Sequence, residues 1–202
     1  MRKTKSRIFL GILLTGITCL IFGAVGQAQQ FDVAIGFGTI SAPSASEASG
    51  NHAPVSLTGG LYPSFSADFL LLKTFGVQGE LAWRGGRGEY GGFQPYRPFF
   101  YDFNAMFAPR IGPHTDLVLL GGIGGQNTRF YTGTQVCDFS CQNFVSVNHF
   151  MGHFGAGIKI YPYKHVFIEP EAHLYLVHDN QEFSSGRAVR YGASIGYTFG
   201  GR

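Results

Sequence analysis

The chain has 202 residues, of which 45% are hydrophobic, 15% aromatic and only 13% charged, and it contains 30 glycines. So few charges argue against an ordinary soluble surface, and so many apolar residues argue against a disordered chain. The composition therefore indicates one domain that is rich in strands and turns.

The first 28 residues differ from the rest. A basic head precedes an apolar run from Ile8 to Val25, and small residues follow where a signal peptidase cuts. We predict a cleaved signal peptide over residues 1–28 and a single domain over residues 29–202. An uncleaved anchor helix is the alternative, because the apolar run is nearly long enough to span a bilayer. The leader has four basic residues and no acid, so cleavage lowers the formal net charge from +3 to −1, and no nucleic-acid surface is implied.

Alternation of period two predicts eight strands, at about residues 31–38, 55–71, 75–84, 99–111, 117–126, 147–161, 166–176 and 189–199. The last strand is the clearest, because its apolar face consists of Val189, Tyr191, Ala193, Ile195, Tyr197 and Phe199. The faces of the fifth strand cannot be assigned from its glycine-rich sequence. Pro170, on the apolar side of the seventh strand, predicts a bulge or a local break in the ladder.

The predicted connections alternate in length. Long segments cover residues 41–54, 85–98, 129–146 and 178–186, and short turns lie near residue 73, at 112–115 and at 162–165. Short turns at one end and long loops at the other are typical of an outer-membrane barrel.

The two faces of the predicted strands differ in a way that indicates which one points inward. One face is large and aromatic, whereas the other has small residues with isolated charges. A solvent-exposed face would need more Lys and Glu, whereas small residues and paired charges would fill a narrow eight-stranded lumen. We therefore predict that the polar face lines the lumen. A soluble lipocalin-like barrel would have the opposite arrangement.

The leader, the alternation, the loop rhythm and the ending Tyr197-Thr198-Phe199 resemble the small outer-membrane β-barrel family that includes OmpA-type and OmpX-type domains. The resemblance implies an all-β fold, an eight-stranded antiparallel up-and-down transmembrane barrel. It implies a location in the outer membrane of a Gram-negative-type bacterium, after export to the periplasm. The expected partners are outer-membrane lipid, lipopolysaccharide and, through the C-terminal strand, the barrel assembly machinery.

Charged residues recur on the inward face. Glu169, Glu171 and His173 occupy successive inward positions, about 6.6 Å apart on a strand. Two such carboxylates could serve acid–base chemistry on a sugar, but we favour pairing with Lys159 and Arg190, because a charge in a cramped lumen needs a partner. A second inward set on strands two to four consists of Asp68, Glu80, Arg84, Asp102 and Arg110.

Other patterns give no enzyme or cofactor site. His149 and His153 would lie about 13 Å apart on a strand, too far to share one ion. The glycine pairs at 121–122 and 124–125 lack the Lys-Ser/Thr of a phosphate loop and are predicted to allow close packing of lumen side chains. The chain contains no His-x-Ser pair of the kind that lipid A deacylases use. We predict no catalytic residue, no metal and no cofactor.

Cys137 and Cys141 lie in the longest predicted outer loop, and in an exported protein such a pair predicts a disulfide. The same loop contains four aromatic residues that would have no lipid to face: Phe130, Tyr131, Phe139 and Phe144. They would either contact an extracellular partner, a neighbouring barrel or the lipopolysaccharide layer, or pack over the barrel mouth as a lid.

The sequence as a whole predicts a non-enzymatic outer-membrane barrel with a plugged polar lumen and long outer loops. Its expected role is structural or adhesive. The alternatives are a lipid-A-modifying enzyme, a narrow pore and a soluble lipocalin-like carrier.

Overall fold

The computed structural model describes residues 30–43, 53, 55–137 and 141–200, with the backbone alone at 134–137, 141 and 142. The predicted signal peptide lies outside these residues and stays a prediction. In the part of the chain that is described, no helix combines the length and the apolar character needed to cross a membrane.

The described chain forms ten strands, namely β1 Gln30–Ser41, β2 Tyr62–Leu70, β3 Phe75–Trp83, β4 Gly88–Tyr90, β5 Gln94–Phe107, β6 Arg110–Gly112, β7 Thr115–Cys137, β8 Cys141–Ile160, β9 Val166–Val177 and β10 Arg187–Gly200. Eight long strands pair in antiparallel order around a barrel, while β4 and β6 add short ladders to β5 and β7.

The barrel closes where β10 pairs with β1, from Gln30 opposite Gly200 to Ser41 opposite Val189. Closure removes the sheet edges, as is required of strands in hydrocarbon, where no water can satisfy backbone groups. The predicted all-β, eight-stranded antiparallel fold is confirmed. The three predicted short turns are also present, since β2–β3, β5–β7 and β8–β9 are joined by short segments at the barrel end that includes Gln30 and Gly200, called here the turn end. The opposite end is called the loop end.

The apolar face of each long strand points outward. Ile35 and Ile195 are 55% and 58% exposed, whereas Asp32 on the other face of β1 and Arg190 on the other face of β10 are 1% and 0% exposed. This is the reverse of a soluble barrel and matches the apolar-out, polar-in order of transmembrane strands.

The faces of β7, which the sequence left open, follow the same rule. Val118 and Gln126 point inward, and Leu119 and Ile123 point outward. The inward glycines lie against β5: a Cβ atom on Gly124 would be 2.7 Å from Asp102 Cβ. The missing side chain leaves room for β5 at the inward glycine of each pair, Gly122 and Gly124, whereas Gly121 and Gly125 lie on the outward face.

The expected start of the second strand at residue 55 is wrong. Strand β2 begins at Tyr62, because Gly59 and Gly60 adopt positive φ values of 84° and 91°, which interrupt an extended chain. Leu57, assigned to the lipid face by alternation, is instead buried in a cluster at the loop end.

The expected long loop over residues 129–146 is also wrong. Strands β7 and β8 continue as one hairpin, in which Arg129 pairs with Ser146 and Cys137 with Cys141. The alternation of side chains continues past the point where a transmembrane strand needs to end, so the ladder extends beyond the barrel wall.

Pro170 breaks the ladder on one side. Between β8 and β9 the register passes from Gly157 opposite Glu171 to Ile160 opposite Ile168 with no pairs between, whereas the register with β10 is continuous. Proline has no N–H to donate, so the predicted local break is present without a bulge.

The lipid-facing assignment can be tested by a charge on the barrel wall. We expect Ile195→Arg, in the middle of β10, to lower the free energy of unfolding in lipid vesicles by about 2–4 kcal/mol. Ile111 is equally exposed at 58% but lies at the turn end, so Ile111→Arg should cost about 0–1 kcal/mol. Urea titration followed by gel migration measures both. Equal, small losses would contradict a membrane-facing wall.

Candidate functional site

An ion cluster occupies the interior near the turn end. Lys159 Nζ lies 2.6 Å from Asp32 Oδ2 and 2.6 Å from Asp68 Oδ2, and all three side chains are almost wholly buried. Gln30 Nε2 donates to Asp32, and the Lys159 ammonium lies 4.7 Å from the centre of the Phe167 ring. The cation of β8 thereby joins β1 and β2 across the lumen.

A second ion cluster lies in the middle of the barrel. Arg190 of β10 donates to Glu80 of β3, and its Nη2 atom is also 3.4 Å from Glu171 Oε1. Ser194 donates to the same Glu171 carboxylate at 3.4 Å. Arg190 is fully buried, so these carboxylates offset the cost of removing a guanidinium from water.

Two histidines continue this middle cluster. His153 Nε2 is 3.0 Å from His173 Nδ1, and His173 Nδ1 is in turn 3.2 Å from Glu80 Oε2. The other nitrogen of His153 lies 2.7 Å from Asn104 Oδ1 and 3.3 Å from Asp102 Oδ1. The middle cluster therefore links β3, β5, β8, β9 and β10.

Glu169 belongs to the same interior but not to an ion pair within 4 Å among the described residues. Its carboxylate packs over β8, where a Cβ atom on Gly157 would be 2.5 Å from Glu169 Oε1. The glycine therefore gives this inward glutamate its space.

Aromatic side chains close the interior toward the loop end. Tyr175 stacks on Phe100 with ring centres 4.7 Å apart and planes 8° apart. Phe183, from the segment between β9 and β10, packs in the same cluster against Tyr96 at 5.3 Å. At the turn end a second apolar group fills the interior, consisting of Leu70, Met106, Ala108, Val118 and Leu120.

Two predicted members of the lumen network lie elsewhere. Arg84 donates to the Tyr96 hydroxyl at 2.8 Å, at the loop end. Arg110 has a 53% exposed side chain and lies 3.8 Å from Asp116 at the turn end. The prediction placed it inward by extending the alternation of β5, but β5 ends at Phe107 and the register shifts within β6.

The network also contains residues that the predicted set left out: Gln30, Asp32, Gln78, Asn104 and His153. Their inward parity was the available signal, since Asp32 alternates with Phe31 and Val33, and Asn104 with Phe103. The predicted set was confined to ionisable residues on predicted strands two to four and six to eight. It therefore left out the amides and Asp32 of the first strand.

The aromatic residues proposed as loop contacts divide between two faces. Phe130 is 9% exposed and packs inward against Tyr90 at 5.1 Å, which agrees with the lid alternative and not with an exposed contact. Tyr131 and Phe144 pair across the hairpin on the outer face, with ring centres 6.1 Å apart. Phe139 lies outside the described residues. The backbones of Cys137 and Cys141 are opposite each other, and the disulfide stays a prediction.

Two arginines lie over these outward rings, and a third lies on the neighbouring strand. Arg87 lies 3.9 Å from the centre of the Tyr131 ring, and Arg129 lies 5.0 Å from that of Phe144. Arg97 is directly opposite Arg129 in the β5–β7 register. We call the set Arg87, Arg97, Arg129, Tyr131 and Phe144 the basic rim.

The basic rim begins where the apolar wall ends. Toward the loop end, the outward face of β5 presents Phe103, Tyr101, Phe99 and then Arg97. In the same direction, the outward face of β7 presents the apolar Ile123 and then Gly125, Asn127 and Arg129. None of the ion pairs within 4 Å among the described residues involves the three arginines of the rim. Arg97 Nε is buried without a hydrogen-bond partner in that part of the chain.

The turn-end ion cluster can be tested through Lys159, the cation that joins its two carboxylates. We expect Lys159→Met to lower the free energy of unfolding by about 3–5 kcal/mol, because it leaves two buried carboxylates without their partner. Lys164→Met is the matched control, since Lys164 is exposed in the turn between β8 and β9, and should change stability by less than about 0.5 kcal/mol. A Lys159→Met barrel as stable as the parent would contradict the pairing.

Comparisons with known proteins identify the fold. No protein-family profile matches the chain, and no curated protein matches it in sequence. The solved structure of neisserial surface protein A matches with a TM-score of 0.59 at 10% identity, over 84% of this chain and 96% of that one. The N-terminal β-barrel domain of Pseudomonas aeruginosa OprF matches with a TM-score of 0.54 at 12% identity, over 85% and 98% of the two chains.

A third similar structure is Ail, the attachment invasion locus protein of Yersinia pestis, in complex with the heparin analogue sucrose octasulfate. It has a TM-score of 0.56 and 16% identity, over 84% of this chain and 98% of Ail. At sequence identities this low, the comparisons show the fold alone. The chain has the fold of the small eight-stranded outer-membrane β-barrels, as its resemblance to OmpA-type and OmpX-type domains predicted.

Proposed function

We propose that this protein is a non-enzymatic barrel of the bacterial outer membrane, with a filled interior, that binds the anionic head group of lipopolysaccharide at its outer surface. The observation that carries the proposal is the basic rim, which lies directly above the apolar wall. Export to the periplasm and insertion by the barrel assembly machinery through β10 are part of the same proposal.

The apolar wall supports a membrane location. Outward side chains such as Phe37, Phe103 and Phe154 are each more than half exposed, and a soluble protein rarely leaves so continuous an apolar surface in water. The same wall argues against a lipocalin-like carrier, which needs a polar exterior. Since outer-membrane barrels have their long loops outside, the loop end is the extracellular end.

The filled interior argues against a pore. Phe100 and Tyr175 at the loop end, Arg190 in the middle and Lys159 nearer the turn end are all buried, so successive levels of the lumen are occupied by side chains. Glu169 and Glu171, the pair considered for sugar hydrolysis, lie between these levels, where a sugar has no room. This burial also supports a function other than catalysis.

The basic rim is suited to an anion. Arg97 and Arg129 face each other across two strands, and like charges in that position destabilise a sheet. A phosphate between them would remove the repulsion and accept paired N–H donors from the guanidinium groups.

Lipopolysaccharide fits this position better than a soluble anion. Its lipid A phosphates lie where the acyl chains end. On the barrel, this is the level at which the apolar wall ends and Arg97 and Arg129 begin. Its acyl chains would lie along the wall below, next to Phe99 and Tyr101. Tyr131 and Phe144, higher on the same face, would contact the sugars. The outer face of the hairpin thus provides a contact surface, and an extracellular protein partner remains a prediction without a site.

A double substitution tests the rim. We expect Arg97→Gln with Arg129→Gln to weaken binding of lipopolysaccharide to the detergent-solubilised barrel about tenfold or more, because each charged hydrogen bond to phosphate is worth about 1.5–3 kcal/mol. Native mass spectrometry at several salt concentrations measures the bound fraction and the mass of the lipid A. That mass should be unchanged, because the proposal includes no catalysis.

Arg110→Gln is the control, since Arg110 is an exposed arginine at the opposite end of the barrel. It should leave binding unchanged. Without lipopolysaccharide, the double variant should be as stable as the parent or more stable by up to about 1 kcal/mol, since the facing charges are gone. Parental binding by the double variant, or an equal loss in Arg110→Gln, would refute the proposed site.

A further inference from the structure

The two interior histidines and Glu80 bring three possible ligand atoms together in the middle of the barrel. His153 Nε2, His173 Nδ1 and a Glu80 carboxylate oxygen lie within 4.8 Å of one another, on β8, β9 and β3. All three residues are buried. We infer that these atoms bind a divalent transition-metal ion of the Zn²⁺ class inside the barrel. The inference is independent of lipopolysaccharide binding.

The hydrogen bonds of His153 determine which of its nitrogens is free. Asn104 Nδ2 donates to Asp102 at 2.6 Å and to Gln78 at 3.2 Å, so Asn104 Oδ1 is an acceptor. His153 Nδ1, 2.7 Å from that oxygen, therefore holds a proton. In the neutral imidazole the Nε2 atom then has a free lone pair, and this atom faces His173.

His173 has a similar arrangement on its far side. Its Nε2 atom makes no hydrogen bond with the described residues, but it is 3.5 Å from Glu171 Oε2, and an N–H is the group that suits a neighbouring carboxylate. The neutral ring then has a bare Nδ1 atom, which faces His153 Nε2. Glu80 Oε2 is buried and accepts no hydrogen bond from the described residues. Three lone-pair atoms converge, and a cation is what satisfies all of them.

The distances suit a small metal ion. His153 Nε2 to His173 Nδ1 is 3.0 Å, and His173 Nδ1 to Glu80 Oε2 is 3.2 Å. Ligands of a tetrahedral zinc with bonds of about 2.0–2.2 Å lie about 3.3–3.5 Å apart. The two separations are slightly shorter than that spacing, and two histidines with one glutamate are a donor set that zinc uses in proteins.

The charges of the middle cluster are balanced by a divalent ion. Three carboxylates, those of Glu80, Asp102 and Glu171, surround a single permanent cation, Arg190. With neutral histidines the cluster has an excess of two negative charges, in a place where unpaired charge is costly. A divalent ion removes that excess without protonating either ring.

The surrounding residues match those of known metal sites. Ligating histidines usually donate their second N–H to a carboxylate or carbonyl oxygen, which fixes the ring orientation. Asn104 and Asp102 take this position for His153, and the Glu171 carboxylate is the acceptor nearest to the second nitrogen of His173, at 3.5 Å. Sequence spacing cannot reveal such a site, because each ligand comes from a different strand.

The position predicts how the ion enters. Phe100 and Tyr175 pack next to the histidines, with the rings of His153 and Tyr175 5.3 Å apart, and close the loop end. The turn end is closed by the apolar group that includes Met106 and Val118. An ion enclosed in this way binds during folding, since metal binding and folding are coupled, and a chelator removes it only after unfolding.

The test is to refold the full chain in detergent with and without ZnCl₂, remove free metal with EDTA and measure bound zinc. We expect the refolded parent to retain about one zinc per barrel, as structural zinc sites do, and to release it only in denaturant. His153→Gln and His173→Gln should each lower retention at least tenfold. His149→Gln, which removes a histidine paired with Glu182 outside the cluster, should retain zinc like the parent.

Gel migration establishes whether each variant folds. If a variant fails to fold, X-ray absorption of the zinc-loaded parent is decisive, because it should show two imidazole ligands and an oxygen ligand. A folded parent without stoichiometric zinc, parental zinc retention by both folded histidine variants, or a spectrum without imidazole would overturn the inference.

Discussion

The structure depends on one constraint, that backbone hydrogen bonds in a lipid environment must be satisfied within the protein. The pairing of β10 with β1 meets it by closing the sheet. Eight strands enclose an interior just wide enough for side chains. Side chains of opposite strands therefore meet, and Lys159 of β8 reaches Asp32 of β1 and Asp68 of β2. Closure of the backbone thus determines the packing of the lumen.

The strand alternation divides the functions of the barrel. Inward positions hold the ion clusters, which connect strands far apart in sequence, whereas outward positions provide the lipid-facing wall. Beyond the wall the same alternation continues into the β7–β8 hairpin, so Phe130 closes the interior while Arg129 and Tyr131 stay on the outer face. One hairpin therefore contributes both to the cover of the lumen and to the proposed contact surface.

The fold and the inward face could be predicted because they depend on local alternation, which a sequence contains directly. Contacts across the lumen could not, because they depend on the register of strands that are distant in sequence. Arg190 was expected to pair with a glutamate of β9, and it lies 3.4 Å from Glu171. Its bond to Glu80 of β3 could not be predicted from the sequence. Arg110 was wrongly assigned to the inward face because the alternation of β5 was extended past Phe107, where that strand ends.

Spin labels placed in turn at residues 190–197 of β10 test the central claim, that the apolar face meets lipid and the polar face is enclosed. The measurement is the accessibility of each label to dissolved oxygen and to a water-soluble paramagnetic reagent, in vesicles of a chain with Cys137→Ser and Cys141→Ser. The account predicts that oxygen reaches the labels at 191, 193, 195 and 197 much more than those at 190, 192, 194 and 196, and that the water-soluble reagent reaches neither set. Access of that reagent to the labels at 193 and 195, or the loss of alternation, would contradict it.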